Sequence, residues 1–182
     1  PNASSTIAVT DTTSPIYGTT VSIPQNAVSE PVDISILEIT PPVPPPAELI
    51  ELSPAVDLQP DGTHFNVPVT VTLSYNEQIV LNGWVSEQGL KIFFLDTNTN
   101  SYLPLNNSIV NTADNTVSAD ITQINGLILM VMGKPMTSFE FTDYTPLLQA
   151  GSLSSLTLRA ITSDWYTVEG FNGVVKITLT GV

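Results

Sequence analysis

The stretch LSPAVDLQPDGTHFNVPVTVTLSY, Leu52–Tyr75, holds a strand, a tight turn and a second strand. Gln59-Pro60-Asp61-Gly62 reads as the turn: proline fixes φ, aspartate bonds its own backbone, and glycine takes the positive φ. The residues then alternate. Phe65, Val67, Val69, Val71, Leu73 and Tyr75 fall on one face; His64, Asn66, Pro68, Thr70, Thr72 and Ser74 fall on the other. Sustained period two describes a half-buried strand, one face on a core and one in water. Pro68 has no N–H to give to a ladder, so the strand lies at a sheet edge or is bulged there.

Before this stretch, Thr6–Thr10, Tyr17–Ile23 and Val32–Ile39 read as strands, each ended by proline or a polar turn. The apolar set of the third changes phase between Ile36 and Leu37, which predicts a bulge or burial of both faces. Pro41–Pro46, PPVPPP, favours polyproline II about 18 Å long. Its position between two strands predicts a stiff crossover between sheets, in preference to a ligand for a proline-reading groove. Downstream, Asn76–Gly89 is a longer connection with a helical turn near Glu77–Leu81. Leu90–Leu95 pairs with Tyr102–Leu105 across a turn at Asp96–Ser101. Asn107–Ala113 and Val117–Ile124 form a hairpin around Asp114-Asn115. Gly126–Met132 is apolar throughout and predicts burial on both faces. No segment carries a sustained helical period. The fold class is therefore all-β, an antiparallel β-sandwich over residues 1–133.

Residues 134–182 form a second piece with strands at Ser138–Thr142, Leu153–Ile161 and Phe171–Leu179. In the last, Phe171, Val175, Ile177 and Leu179 share a face, with Gly173 in the same row. So few strands make about half a sandwich, which leaves sheet edges and an apolar face open. The missing strands come from a continuation of the chain, from the first unit, or from a neighbouring molecule.

Four Lys and Arg face seventeen Asp and Glu in the 182-residue chain, a formal net charge of −13. The cations Lys91, Lys134, Arg159 and Lys176 are scattered, whereas phosphate backbones and anionic membranes need them clustered. Nucleic-acid binding is excluded on that ground. The longest apolar run, Leu127–Met132, is far too short for a membrane span. Cysteine is absent, which excludes disulfides and thiolate metal sites. Acidic, Lys-poor and rich in Thr, Ser and Asn, the composition is that of an extracellular or cell-surface protein. The chain begins at Pro1, which points to a removed leader or a fragment.

The segments GTTVSIPQNAV (Gly18–Val28), the 52–75 stretch, GLKIFFLDTNTNSYLPL (Gly89–Leu105) and NTVSADITQINGLILM (Asn115–Met130) together resemble the ZU-type domain, over about residues 6–133. This is the β-sandwich module of zonula occludens proteins, netrin receptors and ankyrins, with copies in bacterial surface proteins. Bacterial copies often close with His-Phe-Ser, where Gln123-Ile124-Asn125 stands here. The tail resembles part of a bacterial immunoglobulin-like repeat at Ala150-Gly151, Leu156–Ala160 and Phe171–Ile177. Both resemblances imply extracellular binding or scaffolding and no catalysis.

Catalytic readings fail on residue type. His64 is the only histidine, and the triplet His64-Phe65-Asn66 lacks the hydroxyl that self-cleavage at a His-Phe-Ser site requires. A serine triad would need His64, which alternation puts on the polar face. Zinc has no second nitrogen or sulfur ligand near it. Calcium is the candidate cofactor: Asp96, Asn98 and Asn100 offer oxygens at alternate positions, with Asp57 and Asp61 a weaker alternative. Against it, Ser101 replaces the expected Gly and Asn107 the bidentate Glu, so an ordinary hairpin turn explains the loop better. Trp84, Trp165, Tyr166 and Tyr102 suggest a sugar-stacking platform, although scattered aromatics are more often packing residues. Asn2-Ala3-Ser4 and Asn106-Asn107-Ser108 match the glycosylation pattern, as chance allows in an Asn-rich chain.

The leading expectation is a non-enzymatic structural module, a homo-oligomer or polymer assembled into a filament, stalk or surface layer by strand donation. Ile7 and Val9 in Pro1–Asp11, or Phe171, Val175, Ile177 and Leu179 near the other end, are the candidate assembly residues. The alternatives are an adhesin or carbohydrate-binding module of a larger surface protein, with Trp84 or Trp165 exposed, and an accessory domain of an enzyme.

Overall fold

The computed structural model describes residues 3–143, 157–171 and 173–177. Two antiparallel sheets enclose most of the buried apolar side chains. The first has the order β1 (Ser5–Ala8), β2 (Thr20–Ile23), β6 (Thr63–Ser74), β10 (Thr116–Ile124), β9 (Ile109–Asn111). The second runs β3 (Ser35–Ile39), β5 (Ala55–Gln59), β11 (Ile128–Gly133), β7 (Lys91–Asp96), β8 (Ser101–Pro104). The short β4 (Ile50–Glu51) continues β5 along β11. Ser53-Pro54 interrupts the two, and the ladder is bridged there by Leu52 N to Val131 O at 2.9 Å and Val131 N to Ser53 Oγ at 2.8 Å. The chain is nearly all-β, as its alternation requires.

β6 explains why the sandwich closes. Phe65, Val69, Val71, Leu73 and Tyr75 are buried in the inter-sheet core with Val21, Val117, Ile92 and Leu129. Pro68 does not make β6 an edge, because the strand is central, between β2 and β10. It bulges instead. Ile121 pairs with Val69 and Gln123 with His64, so the residues between Val69 and His64 outnumber those facing them. The bulge turns Val67 outward to 38% exposure, against the inward position that alternation predicts. The freed Asn66 N–H bonds Ala27 O at 2.8 Å. In the preceding turn Gly62 takes φ +82°, and the Gln59-Pro60 bond is cis. Asp61 does not bond its own backbone: its Oδ1 accepts from Gly126 N at 2.6 Å and ties the turn to the start of β11.

Every residue of β11 is buried, in agreement with its unbroken apolar sequence. Leu129 and Val131 enter the inter-sheet core; Ile128, Met130 and Met132 enter a second cluster on the far face with Ala55, Leu95 and Tyr102. Val43 and Leu49 pack over that cluster, and Tyr102 OH donates to Val43 O at 2.7 Å. The proline-rich segment therefore does not cross between sheets. It joins β3 to β4 of the same sheet and covers that sheet's outer face. Nor is β3 bulged or buried on both faces: its register with β5 is unbroken and Leu37 is exposed, as fits an edge strand.

Asn76 caps α1 (Glu77–Gly83), its side chain accepting from Gln78 N at 2.9 Å. A 3-10 turn at Glu87–Gly89 follows. Tyr75 OH donates to Glu87 Oε1 at 2.6 Å and fastens that turn to β6. Burial first, then the bond to Glu87 and its charge, raises the Tyr75 pKa well above its ordinary 10.0. An unfolded Tyr75 ionises near pH 10 while the folded one keeps its proton, so this stabilisation is full below pH 10 and declines as pH rises beyond it. Urea midpoints measured from pH 8 to 11 should fall above pH 10, and less steeply in Tyr75→Phe.

Candidate functional site

Gly133, Lys134 and Pro135 lead from β11 into β12 (Met136–Asp143), which pairs with β13 (Thr157–Thr162) in a two-stranded sheet. Its register sets Phe139 opposite Ala160 and Glu140 opposite Arg159, and those last two side chains form an ion pair. Segment 166–168 covers part of the outer edge of β13, through Thr162 N to Tyr166 O at 3.0 Å and Val168 N to Ala160 O at 2.9 Å. The outer edge of β12 pairs with no strand among the described residues beyond its first residue, where Met136 N donates to Trp84 O at 2.8 Å.

Aromatic rings hold this sheet against α1. Trp84 ends the helix in the left-handed conformation, φ +49°. Phe171 stands edge-on to Trp84 at 4.9 Å and to Phe139 at 5.2 Å. Tyr166 packs over Gly89, where an added Cβ would lie 2.9 Å from its ring. Lys134 Nζ meets Asp164 Oδ1 at 2.8 Å. The exposed apolar side chains concentrate around this assembly. Phe141 is 51% exposed, Trp165 68% and Val174 100%; Leu81, Val175 and Ile177 are also exposed.

The expected assembly residues fare differently. Ile7 pairs with Val21 in β1, and Val9 packs on the inter-sheet core with its N–H on Thr19 O, so the described part of the first segment is docked in its own sheet. The Phe171–Leu179 strand is not formed over its described residues: 171 and 173–177 belong to no strand, because Phe171 turns into the Trp84–Phe139 cluster. Leu179 lies outside the described residues. Both tryptophans are exposed, Trp84 at 38% beside Phe171 and Trp165 at 68%. The Trp84–Phe171–Phe139 cluster has no sequence signature, since its members come from three separate elements.

The Asp96–Asn100 loop is a hydrogen-bonded hairpin turn between β7 and β8. Asp96 accepts from Asn98 N and from Thr99 Oγ1, both at 2.9 Å, and Asn100 takes φ +50°. The Thr99 hydroxyl first, then the Asn98 N–H, holds the Asp96 carboxyl below its ordinary pKa. Asp96, Asn98 and Asp61 border one recess of about 380 Å³ with Gln123 and Asn125. Asn100 does not line it, and Asp57 is engaged with Gln59 Nε2 at 2.9 Å. Among the described residues no three acidic or histidine side chains converge in a metal-ligand group. With Asp96 committed to its own turn and Asp61 to Gly126, exchanging calcium for a chelator should leave the thermal midpoint unchanged. A calcium-dependent rise would identify the loop as a metal site.

Residues 11–86 match the family model of the ZU5 domain. The match runs from the loop after β1 through β6 and α1 to Ser86; β7–β11 complete the same two sheets beyond it. No curated protein matches the chain.

Proposed function

We propose that the chain is a non-catalytic extracellular module that joins subunits into a filament, stalk or surface layer by β-strand addition. The carrying observation is the segment Gly173–Ile177. It belongs to no strand, and its Val174, Val175 and Ile177 are exposed although their type favours a sheet. Main-chain bonds to a neighbour's sheet edge would supply affinity, and alternate apolar side chains would set register. The ZU5 match supports the broader part of this reading, a protein-interaction module without catalysis. Of the two candidate donors, the C-terminal segment is preferred, since β1 would first have to leave its own ladder.

Light scattering with negative-stain microscopy tests the reading. The chain should polymerise with rising concentration, and the double variant Val175→Lys, Ile177→Lys should stay monomeric with an unchanged circular dichroism spectrum. A parent chain that is monomeric at every concentration overturns it. The exposed Trp165 favours one second reading, a carbohydrate-binding adhesin. That reading requires Trp165→Ala to abolish glycan binding and leave the assembly state untouched.

A further inference from the structure

We infer that the acceptor is the outer edge of β12 in a second copy of this chain, and that the incoming strand is the copy's Gly173–Ile177 segment. The inference rests on the strand-addition reading and names its missing half. A two-stranded sheet is marginal alone and gains from a third strand. The two sequences are complementary in pattern. Within the unbroken register of β12, Phe139 and Phe141 share one face and Glu140 lies between them on the other. In the segment, Val175 and Ile177 flank Lys176 in the same way.

Any register that sets Val175 and Ile177 beside the two phenylalanines therefore sets Lys176 beside Glu140, across β12 from its ion-pair partner Arg159 of β13, in either strand direction. An opposite-charge pair across neighbouring strands is favourable, and a shift by one residue would lose both matches at once. β12 carries Glu140 and Asp143 and no cation; residues 171–177 carry Lys176 and no acid. In a chain of net charge −13, such a local match offsets the general repulsion between copies. Among the other edges of the described strands, β1 (Ser5–Ala8) has no charge, and β3 repeats the alternation at Leu37-Glu38-Ile39 with aliphatic side chains in place of the two phenylalanines.

The absence of cysteine makes the test free of background. Val174→Cys in one preparation is mixed with Thr142→Cys or with Ser138→Cys in another, and the mixture is oxidised. All three positions are exposed and lie away from the proposed ion pair. With Lys176 beside Glu140, position 174 falls beside Thr142, the bulged residue after Phe141, if the strands run antiparallel, and beside Ser138 if they run parallel. Mixed disulfides from one of these pairs should exceed those of a Val174→Cys with Lys91→Cys control by at least about ten-fold, because pairing raises the local thiol concentration. Polymers with cross-linking no higher than the control place the acceptor elsewhere and overturn this inference alone. A monomeric chain overturns it together with the strand-addition reading. In the doubly substituted single chain, an internal Val174–Thr142 or Val174–Ser138 disulfide in place of the mixed one shows pairing within a molecule and also overturns it.

Discussion

Replacing Val71 by Lys should leave no folded protein, while replacing its neighbour Thr72 by Lys should shift the urea midpoint hardly at all. Val71 is wholly buried in the central strand β6, between Val21 of β2 and Ala119 of β10. An ammonium there has no partner in the inter-sheet cluster and no short path to water. The effective cost of burying an unpaired ion is several kcal/mol, against a total stability of roughly 5–15 kcal/mol for a domain. Thr72 lies one residue on and faces the other way, flanked by Thr20 and Ser118. Thr72 is half-buried on the outer face, where a long side chain reaches water and the change costs far less than in the interior. Urea unfolding followed by circular dichroism compares the pair. Equal effects at the two positions would contradict the alternation on which the fold rests.

Met130→Ala should lower stability by about 2–5 kcal/mol, the range for truncating a long buried apolar side chain. Met130 is wholly buried, yet it faces away from the sandwich interior, into the cluster of Ala55, Leu95 and Tyr102 beneath Val43 and Leu49. At a urea slope of about 1–3 kcal/mol per molar, the midpoint should drop by about 0.7 molar or more. The proline-rich segment is thus a structural cover. A mild effect would mean that the outer face of this sheet is partly hydrated and that the segment is free to serve another purpose.

The period of β6 was legible because each core position is set by the next-but-one residue, and β11 because an apolar run without polar gaps has nowhere to face water. Val67 was not, since the bulge that turns it out depends on how many residues β10 supplies opposite, a count made across 50 or so positions of sequence. Pro41–Pro46 was readable as stiff and extended, but which sheet it returns to is decided by β11 pairing with both β4 and β5. The Asp96 loop was readable as a turn from its Asx and Thr side chains. The C-terminal segment misled for a physical reason: its alternation marks a strand that needs a partner, and within this chain Phe171 takes the Trp84–Phe139 cluster instead.

Amide hydrogen exchange at Val174, Val175, Lys176 and Ile177, measured in dilute and in concentrated solution, tests strand addition by this segment. These backbone groups belong to no strand in the single chain and should exchange rapidly when dilute. On assembly the alternate amides that face the acceptor edge should become protected, with the outward-facing amides among Phe139–Phe141 of β12 gaining protection at the same concentration. Amides at 174–177 that stay fast in a concentrated, assembled sample would contradict strand addition by this segment.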